Sequence, residues 1–256
     1  MIHPTALIDP SAKLADSVEI GAYSIIGADV EIGEKTWIGP HVVIQGPSKI
    51  GAENKFFQFS SIGEIPQDKK FHDETSYLEI GDRNTIREFA TINRGTDDGG
   101  GTTRIGNDNW LMAYIHIAHD CQIGSNTIFA NNASLAGHAV IEDFVILGGF
   151  TLVHQFCKIG QHAFCGMGSA ISKDIPPYLM VNGSPAHAHG LNIEGIKRKG
   201  FSKESIKALR EAYKIIYRSH NTVEVAKTEL KSLASEFSEV ENMLTFLEQS
   251  ERGILR

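Results

Sequence analysis

The sequence predicts a mainly β solenoid followed by a C-terminal α-helical domain, and three observations carry that expectation. An aliphatic residue or its equivalent returns every sixth position, at Ile2, Ile8, Leu14, Ile20, Ile26, Ile32, Ile38, Ile44, Ile50, Phe56 and Ile62. The residue after it is usually small and often glycine, as in Ile20-Gly21, Ile32-Gly33, Ile105-Gly106 and Ile159-Gly160. Beyond residue 187 this rhythm gives way to helical spacing. A period of six fits neither the 3.6 of a helix nor the alternation of a half-buried strand, whereas short strands joined by tight corners reproduce it. Glycine is expected at such corners because it tolerates tight backbone turns.

Taken in order, the repeat runs from Ile2 to Ile62, resumes at Ile80, Ile86 and Ile92, and continues from Ile105 through Leu111, Ile117, Ile123, Phe129, Leu135, Ile141, Leu147, Val153, Ile159 and Cys165 to Ile171. Two polar segments interrupt it, Gly63 to Glu79 and Arg94 to Arg104. The first leaves the coil as a loop able to carry function. The second, with Asp97-Asp98-Gly99-Gly100-Gly101, reads as a flexible excursion. Asp174-Ile175-Pro176-Pro177 and Asn182-Gly183-Ser184-Pro185-Ala186 close the pattern, so residues 1–186 form the solenoid and 187–256 the helical domain. There, Ser202 caps Lys203 to Tyr217, Thr222 caps a segment reaching about Phe237, and Val240 to Leu247 starts a last helix. Their apolar stripes are expected to pack on one another or to cover the open end of the coil.

The 256 residues suit one large unit with an appendage. No stretch approaches a membrane span, and Met1-Ile2-His3-Pro4 enters the repeat without a leader-like segment, so a cytoplasmic protein is expected. Cys121, Cys157 and Cys165 are odd in number and lack C-x-x-C spacing, which favours small buried residues over a disulfide or redox site. The net charge of −7 disfavours a nucleic-acid binder. The average hides a local reversal: Leu191 to Arg218 carries eight Lys or Arg against three Glu. An acidic partner suits that segment, although surface helices commonly carry solvated charge of this kind.

The hexapeptide pattern resembles the hexapeptide-repeat acyltransferases. That resemblance implies a left-handed parallel β-helix with one triangular coil per three hexapeptides. Periodicity itself selects no hand, and most parallel crossovers are right-handed.

With such a coil, residues three hexapeptides apart stack one strand spacing apart, about 4.8 Å. His119, Gly137 and Gln155 then form one column, Asp120, His138 and Phe156 the next, and Ala118, Ala136 and His154 a third. Acyl transfer needs a base for an acceptor hydroxyl and a donor for the tetrahedral oxyanion. His119 suits the first role and the N–H of Gly137 the second. A lone histidine is usually a packed structural residue, but four gathered on one edge favour function. Zinc held by His116, His119 and His138, as in a γ-type carbonic anhydrase, is the metal alternative. The acceptor-binding motifs described next speak against it, so no metal and no cofactor are expected.

His116-Ile117-Ala118-His119-Asp120-Cys121, Asn131-Asn132-Ala133, Leu135-Ala136-Gly137-His138, Val153-His154-Gln155-Phe156 and Asn192-Ile193-Glu194-Gly195-Ile196-Lys197-Arg198-Lys199-Gly200-Phe201 resemble the acyl-ACP:UDP-N-acetylglucosamine O-acyltransferases of lipid A synthesis. The likeness spans the chain, including Gln67-Asp68-Lys69-Lys70-Phe71. It implies a homotrimer with active sites between subunits, the acyl carrier protein thioester as donor and UDP-N-acetylglucosamine as acceptor. It further implies His119 as general base, Asp120 as its orienting group and Gly137 as oxyanion donor. Asp68 and Lys70 match sugar and acyl contacts, His116 and His138 line the sugar pocket, and His154 and Gln155 lie further along the cleft. Asn192, Glu194, Arg198 and Lys199 match the uridine and diphosphate side. Lys199 departs from a paired arginine seen in some members and lacks the planar fork for bidentate phosphate contact. Asp120 reaches His119 only if the backbone turns a corner there or if a second subunit brings its copy close.

Met167 matches a position that is glycine in members accepting longer acyl chains, which implies a ruler set for a medium-length chain. Filling a gap in its own coil is the alternative for this methionine. Among other functions, the related N-acyltransferase carries an additional N-terminal domain, whereas this coil starts at residue 2. A non-catalytic trimeric scaffold and a metal hydratase remain as the other classes, separable by carrier-thioester turnover and by metal content.

Overall fold

The computed structural model describes residues 1–256. Two- to five-residue strands, parallel except for the last strand of the ten-stranded sheet, build three sheets of nine, eight and ten strands, and each turn of the coil visits all three in succession. Ile26 pairs with Ile44, Leu14 with Ile32 and Ile20 with Ile38, so the six-residue repeat becomes three stacks of aliphatic side chains pointing into a triangular prism. Ile26, Ile38, Ile44, Phe56 and Leu111 are each no more than 1% exposed in that core. Strands this short cannot bury a core alone, and stacking supplies it because every coil covers its neighbour's apolar edge.

Glycine stands at the corners as expected, but not at their left-handed position. Left-handed backbone falls on non-glycine residues such as His41, Asp120 and His138, with φ of 56°, 61° and 62°. Glycine instead occupies the first corner position, where coils come closest. A Cβ on Gly33 would sit 2.7 Å from the carbonyl carbon of Gly51 in the next coil. The requirement is a close backbone approach rather than a positive φ.

The sheet containing His116–Ile117, Ser134–Leu135 and Leu152–Val153 is here the first, the one containing Gln122–Ile123 and Val140–Ile141 the second, and the one containing Phe164–Cys165 the third. Both sequence interruptions emerge at the edge joining the first and second sheets: Ile62 pairs with Ile92, and Ile92 with Ile117. Asn93 Nδ2 ties the two together, donating to the carbonyl oxygen of Ile65 at 2.8 Å.

The helices begin later than residue 187, because His187–Leu191 forms a last strand antiparallel to Leu179–Asn182 on the third sheet. Four helices follow: α1 (Ile193–Arg198), α2 (Lys203–Tyr217), α3 (Val223–Ala234) and α4 (Ser238–Gln249). Ser202 and Thr222 cap α2 and α3 as expected. Helix α3 stops at Ala234, short of Phe237, and α4 starts two residues before Val240. The short α1 had no expectation. The helices do both things open to them: Leu209, Leu230, Met243 and Phe246 form a second core that also takes in Tyr178 from the end of the coil. The terminus then returns to the solenoid, where the Leu255 N–H donates to the carbonyl of Asp174 at 2.8 Å.

Candidate active site

His119 and Asp120 form a corner between the first and second sheets. The left-handed φ of Asp120, 61°, turns its carboxylate back so that Oδ2 meets His119 Nδ1 at 2.8 Å. The pair therefore assembles within one chain, by the corner rather than across an interface. Asp120 has a fully buried side chain and His119 is 15% exposed. Oδ1 of Asp120 accepts the Thr96 N–H at 2.9 Å, Oδ2 accepts the Thr96 hydroxyl at 2.7 Å, and the Asp120 N–H donates to Thr103 Oγ1 at 2.8 Å. Burial, the largest influence on Asp120, pushes its pKa up, but the bonds from His119 and Thr96 and the nearby His138 together leave it below the usual carboxylate value.

The expected columns are hydrogen-bonded ladders. The His138 N–H donates to the carbonyl of His119 at 3.0 Å, and the Phe156 N–H to that of Gly137 at 3.1 Å. Gly137 lies directly over the imidazole: a Cβ there would fall 2.6 Å from His119 Cε1 and 2.7 Å from Nε2. Its N–H makes no backbone bond. A side-chain-free N–H beside a histidine that an aspartate orients is the geometry a base and an oxyanion donor require.

His138 stacks on Phe156 at 4.3 Å and meets His119 edge-on at 5.1 Å. Burial lowers its pKa, as it does that of His116, whose Nδ1 lies 2.8 Å from Thr91 Oγ1. Both rings are thereby favoured in their neutral form, as hydrogen-bonding groups. Asp68 reaches over from the first excursion to within 4.0 Å of His119 Nε2, and its Oδ1 accepts the Lys70 N–H at 3.0 Å. Between the excursions lies a pocket of about 300 Å³ lined by Asp68, Lys70, Phe71, Thr96 and Asp97 among others. A larger open groove of about 910 Å³ runs along the second sheet past Arg104, Gln122 and Glu142. It contains no histidine and none of the residues just described. His154 and Gln155 are exposed one coil beyond Gly137.

Ligand atoms of His119, Asp120 and His138 lie within 4.8 Å of one another. This is not the triad considered from sequence, because the His116 ring engages Thr91 instead. Cys121 adjoins the pair, but burial pushes its thiol up to about 12, which suits packing rather than thiolate chemistry.

The remaining expected residues lie elsewhere. Asn192 caps α1, accepting the Gly195 N–H at 3.1 Å, and donates to the carbonyl of His162 at 3.0 Å. Lys199 Nζ sits 4.4 Å over the Phe144 ring, Glu194 pairs with Lys197 at 3.1 Å, and Arg198 is exposed. Phe144 and His162 belong to the edge between the second and third sheets. Within one chain this cluster and His119 are separated by the width of a sheet. Met167 lies on the third edge and is 76% exposed, so it fills no gap in its own coil.

Sequence reasoning missed Thr96 and Thr103. The second excursion was expected to be flexible, yet its Thr96 is 6% exposed and grips Asp120. No local sequence signal marks that contact, which depends on stacking one coil on another.

The description of domain 2 of UDP-N-acetylglucosamine O-acyltransferases matches residues 174–255, and that of the bacterial transferase hexapeptide matches residues 102–137. The acyl-(acyl-carrier-protein)-UDP-N-acetylglucosamine O-acyltransferase of Thiobacillus denitrificans is 58% identical over 255 residues, covering 100% of this chain and 99% of that protein. This chain belongs to the UDP-N-acetylglucosamine O-acyltransferase family. The relative from Herminiimonas arsenicoxydans is 54% identical over 260 residues, covering 100% of this chain and 99% of its own. The crystal structure of UDP-N-acetylglucosamine O-acyltransferase from Moraxella catarrhalis superposes with a TM-score of 0.98 at 49% identity, covering 100% and 99% of the two chains. The solenoid is the left-handed parallel β-helix of this family, and the excursions and helical tail belong to the shared fold.

Proposed function

We propose that this chain transfers a (3R)-3-hydroxyacyl group from the acyl carrier protein thioester to the 3-hydroxyl of UDP-N-acetylglucosamine, the first step of lipid A biosynthesis. One observation carries the chemistry: His119 is held through Nδ1 by Asp120, and its Nε2 lies 2.7 Å from where a Cβ of Gly137 would stand, beside a Gly137 N–H that has no backbone partner. His119 Nε2 removes the proton of the sugar hydroxyl as its oxygen attacks the thioester carbonyl. Asp120 stabilises the imidazolium, and Gly137 donates to the tetrahedral oxyanion. Collapse expels the carrier thiolate, which takes the proton back from His119. No cofactor is needed, since the thioester already activates the acyl group.

Neutral His116 and His138, with Asp68 and Lys70 from the first excursion, surround the sugar. His154 and Gln155 continue the cleft. The acyl tail crosses the first sheet over Leu152, 55% exposed, toward Met167, which limits its length. Asn192 acts through the start of α1, while Glu194, Arg198 and Lys199 face the uridine and diphosphate. Because this cluster sits on another edge from His119, one chain cannot close both around a single sugar nucleotide. A neighbouring copy supplies it, which supports a homotrimer with its sites between subunits. Three buried free cysteines suit a reducing cytoplasm, and no helix is long and apolar enough to cross a membrane. Incubating the purified chain with 3-hydroxyacyl carrier thioester and UDP-N-acetylglucosamine, and following acylated sugar nucleotide by mass, tests the reaction. Absence of that product would refute it.

A further inference from the structure

We infer that the second excursion, Gly95–Gly101, is a clasp for Asp120, and that Thr96 is a positioning residue for the His119–Asp120 pair. The inference rests on the acyl-transfer reading above and deepens it. Thr96 gives both of its donors to one carboxylate, the N–H to Oδ1 at 2.9 Å and the hydroxyl to Oδ2 at 2.7 Å. Two donors on two oxygens fix the rotation of the carboxyl plane. Oδ2 is thereby held in line with His119 Nδ1, which sits 2.8 Å from the same oxygen. A bond to Oδ2 alone would leave that plane free to swing.

The local structure shows that this use of Thr96 is specific. Thr96 stands at the N-cap of the 3₁₀ turn Asp97–Gly99, with the extended backbone of a capping residue, φ −130° and ψ 157°, yet its side chain caps nothing there. A threonine at such a position ordinarily bonds the free N–H groups of its own turn. Here the hydroxyl is diverted to Asp120.

The glycines around it have the same cause. A Cβ on Gly99 would lie 2.0–2.4 Å from the Asp120 carboxylate atoms, and one on Gly95 would lie 2.7 Å from Oδ1. Neither glycine has a left-handed φ: steric access to the carboxylate explains Gly99, and at Gly95 the main chain of Thr102 and Gly101, 2.3 and 2.5 Å from such a Cβ, crowds the site together with Oδ1. Gly100, by contrast, has φ 89° and open space around its α-carbon, the ordinary signature of a turn glycine. The loop is anchored beneath by Arg94, whose Nη1 donates to the carbonyl of Gly46 at 2.7 Å. The glycine-rich composition that suggests a flexible linker is therefore what lets main chain close against a buried charge.

The test compares kcat and KM for the wild type, Thr96→Val, Thr96→Ser and Gly99→Ala, each checked for assembly size and thermal unfolding. Thr96→Val keeps the shape and the N–H but removes the hydroxyl. It should lower kcat about 10-fold to 100-fold with both KM values within about twofold, because orientation of the base is lost and substrate binding is not. Thr96→Ser should recover to within about threefold, and Gly99→Ala, which displaces the loop with Thr96 intact, should resemble Thr96→Val. In an Asp120→Ala background, Thr96→Val should cost less than about twofold, since the group it acts through is gone. A full-rate Thr96→Val enzyme, a serine variant as poor as the valine one, or losses that multiply with Asp120→Ala would overturn the clasp while leaving the acyl transfer standing. An inactive wild-type chain would overturn the transfer reaction and the clasp with it.

Discussion

His119, the proposed base, allows the chemistry to be tested apart from the fold. It occupies a corner position and contributes no side chain to the aliphatic stacks, so His119→Ala should leave the assembly intact while lowering kcat about 10² to 10⁴-fold. Turnover and assembly size measured on one preparation check both halves; wild-type turnover would exclude His119 as the base. Met167 offers a second test at this scale. The residue is 76% exposed, so trimming its side chain creates no core cavity. Met167→Gly should extend the preferred acyl chain by several carbons with little change in thermal unfolding, read from rates across a series of 3-hydroxyacyl carrier thioesters. An unchanged length profile would mean the tail ends elsewhere.

Among the elements, α2 divides its faces cleanly. Ile206, Leu209, Ala212 and Ile216 are buried, whereas Lys203, Lys207 and Arg210 are exposed. Surface cations free of buried partners serve an acidic protein through long-range attraction more than through contact energy. Reversing Lys203, Lys207 and Arg210 to Glu should therefore raise KM for the carrier thioester and leave that for the sugar nucleotide little changed. The wild-type rate should fall as salt is added, because exposed charges are screened over about 10 Å at 0.1 M. Insensitivity to both treatments would place carrier docking on another surface. The excursions teach the opposite lesson about elements. Neither has hexapeptide register, yet both return to the same edge because each interrupts the chain between a first-sheet and a second-sheet strand.

For the whole molecule, the division of the proposed site between two edges makes a prediction about mixed assemblies. His119→Ala and Arg198→Ala chains should each be impaired alone. Co-assembled, they create interfaces where an intact His119 from one chain faces an intact Arg198 from the other. Activity of mixed trimers should rise well above that of either parent, measured after co-expression with distinguishable tags. Mixed trimers no better than their parents would place both residues in the same chain's site.

The six-residue period by itself determined the architecture, because the stacks from Ile20 to Ile171 can be buried only if every coil repeats the one below. It also placed His119 under Gly137, since a constant coil length turns sequence distance into a vertical column. The helix caps at Ser202 and Thr222 were equally legible, each being a local hydrogen bond within one turn. Three matters depended on the tertiary structure. The left-handed corner at Asp120 decided that its carboxylate turns back to His119, which strand alternation alone does not predict. The closure of the second excursion decided that Thr96 and Gly99 meet a carboxylate more than twenty residues along the chain. The separation of Asn192–Lys199 from His119 by a full sheet decided that one chain carries only part of the proposed site. Periodicity reports what repeats, whereas corners, insertions and the packing of one edge against another arise where the repeat is broken.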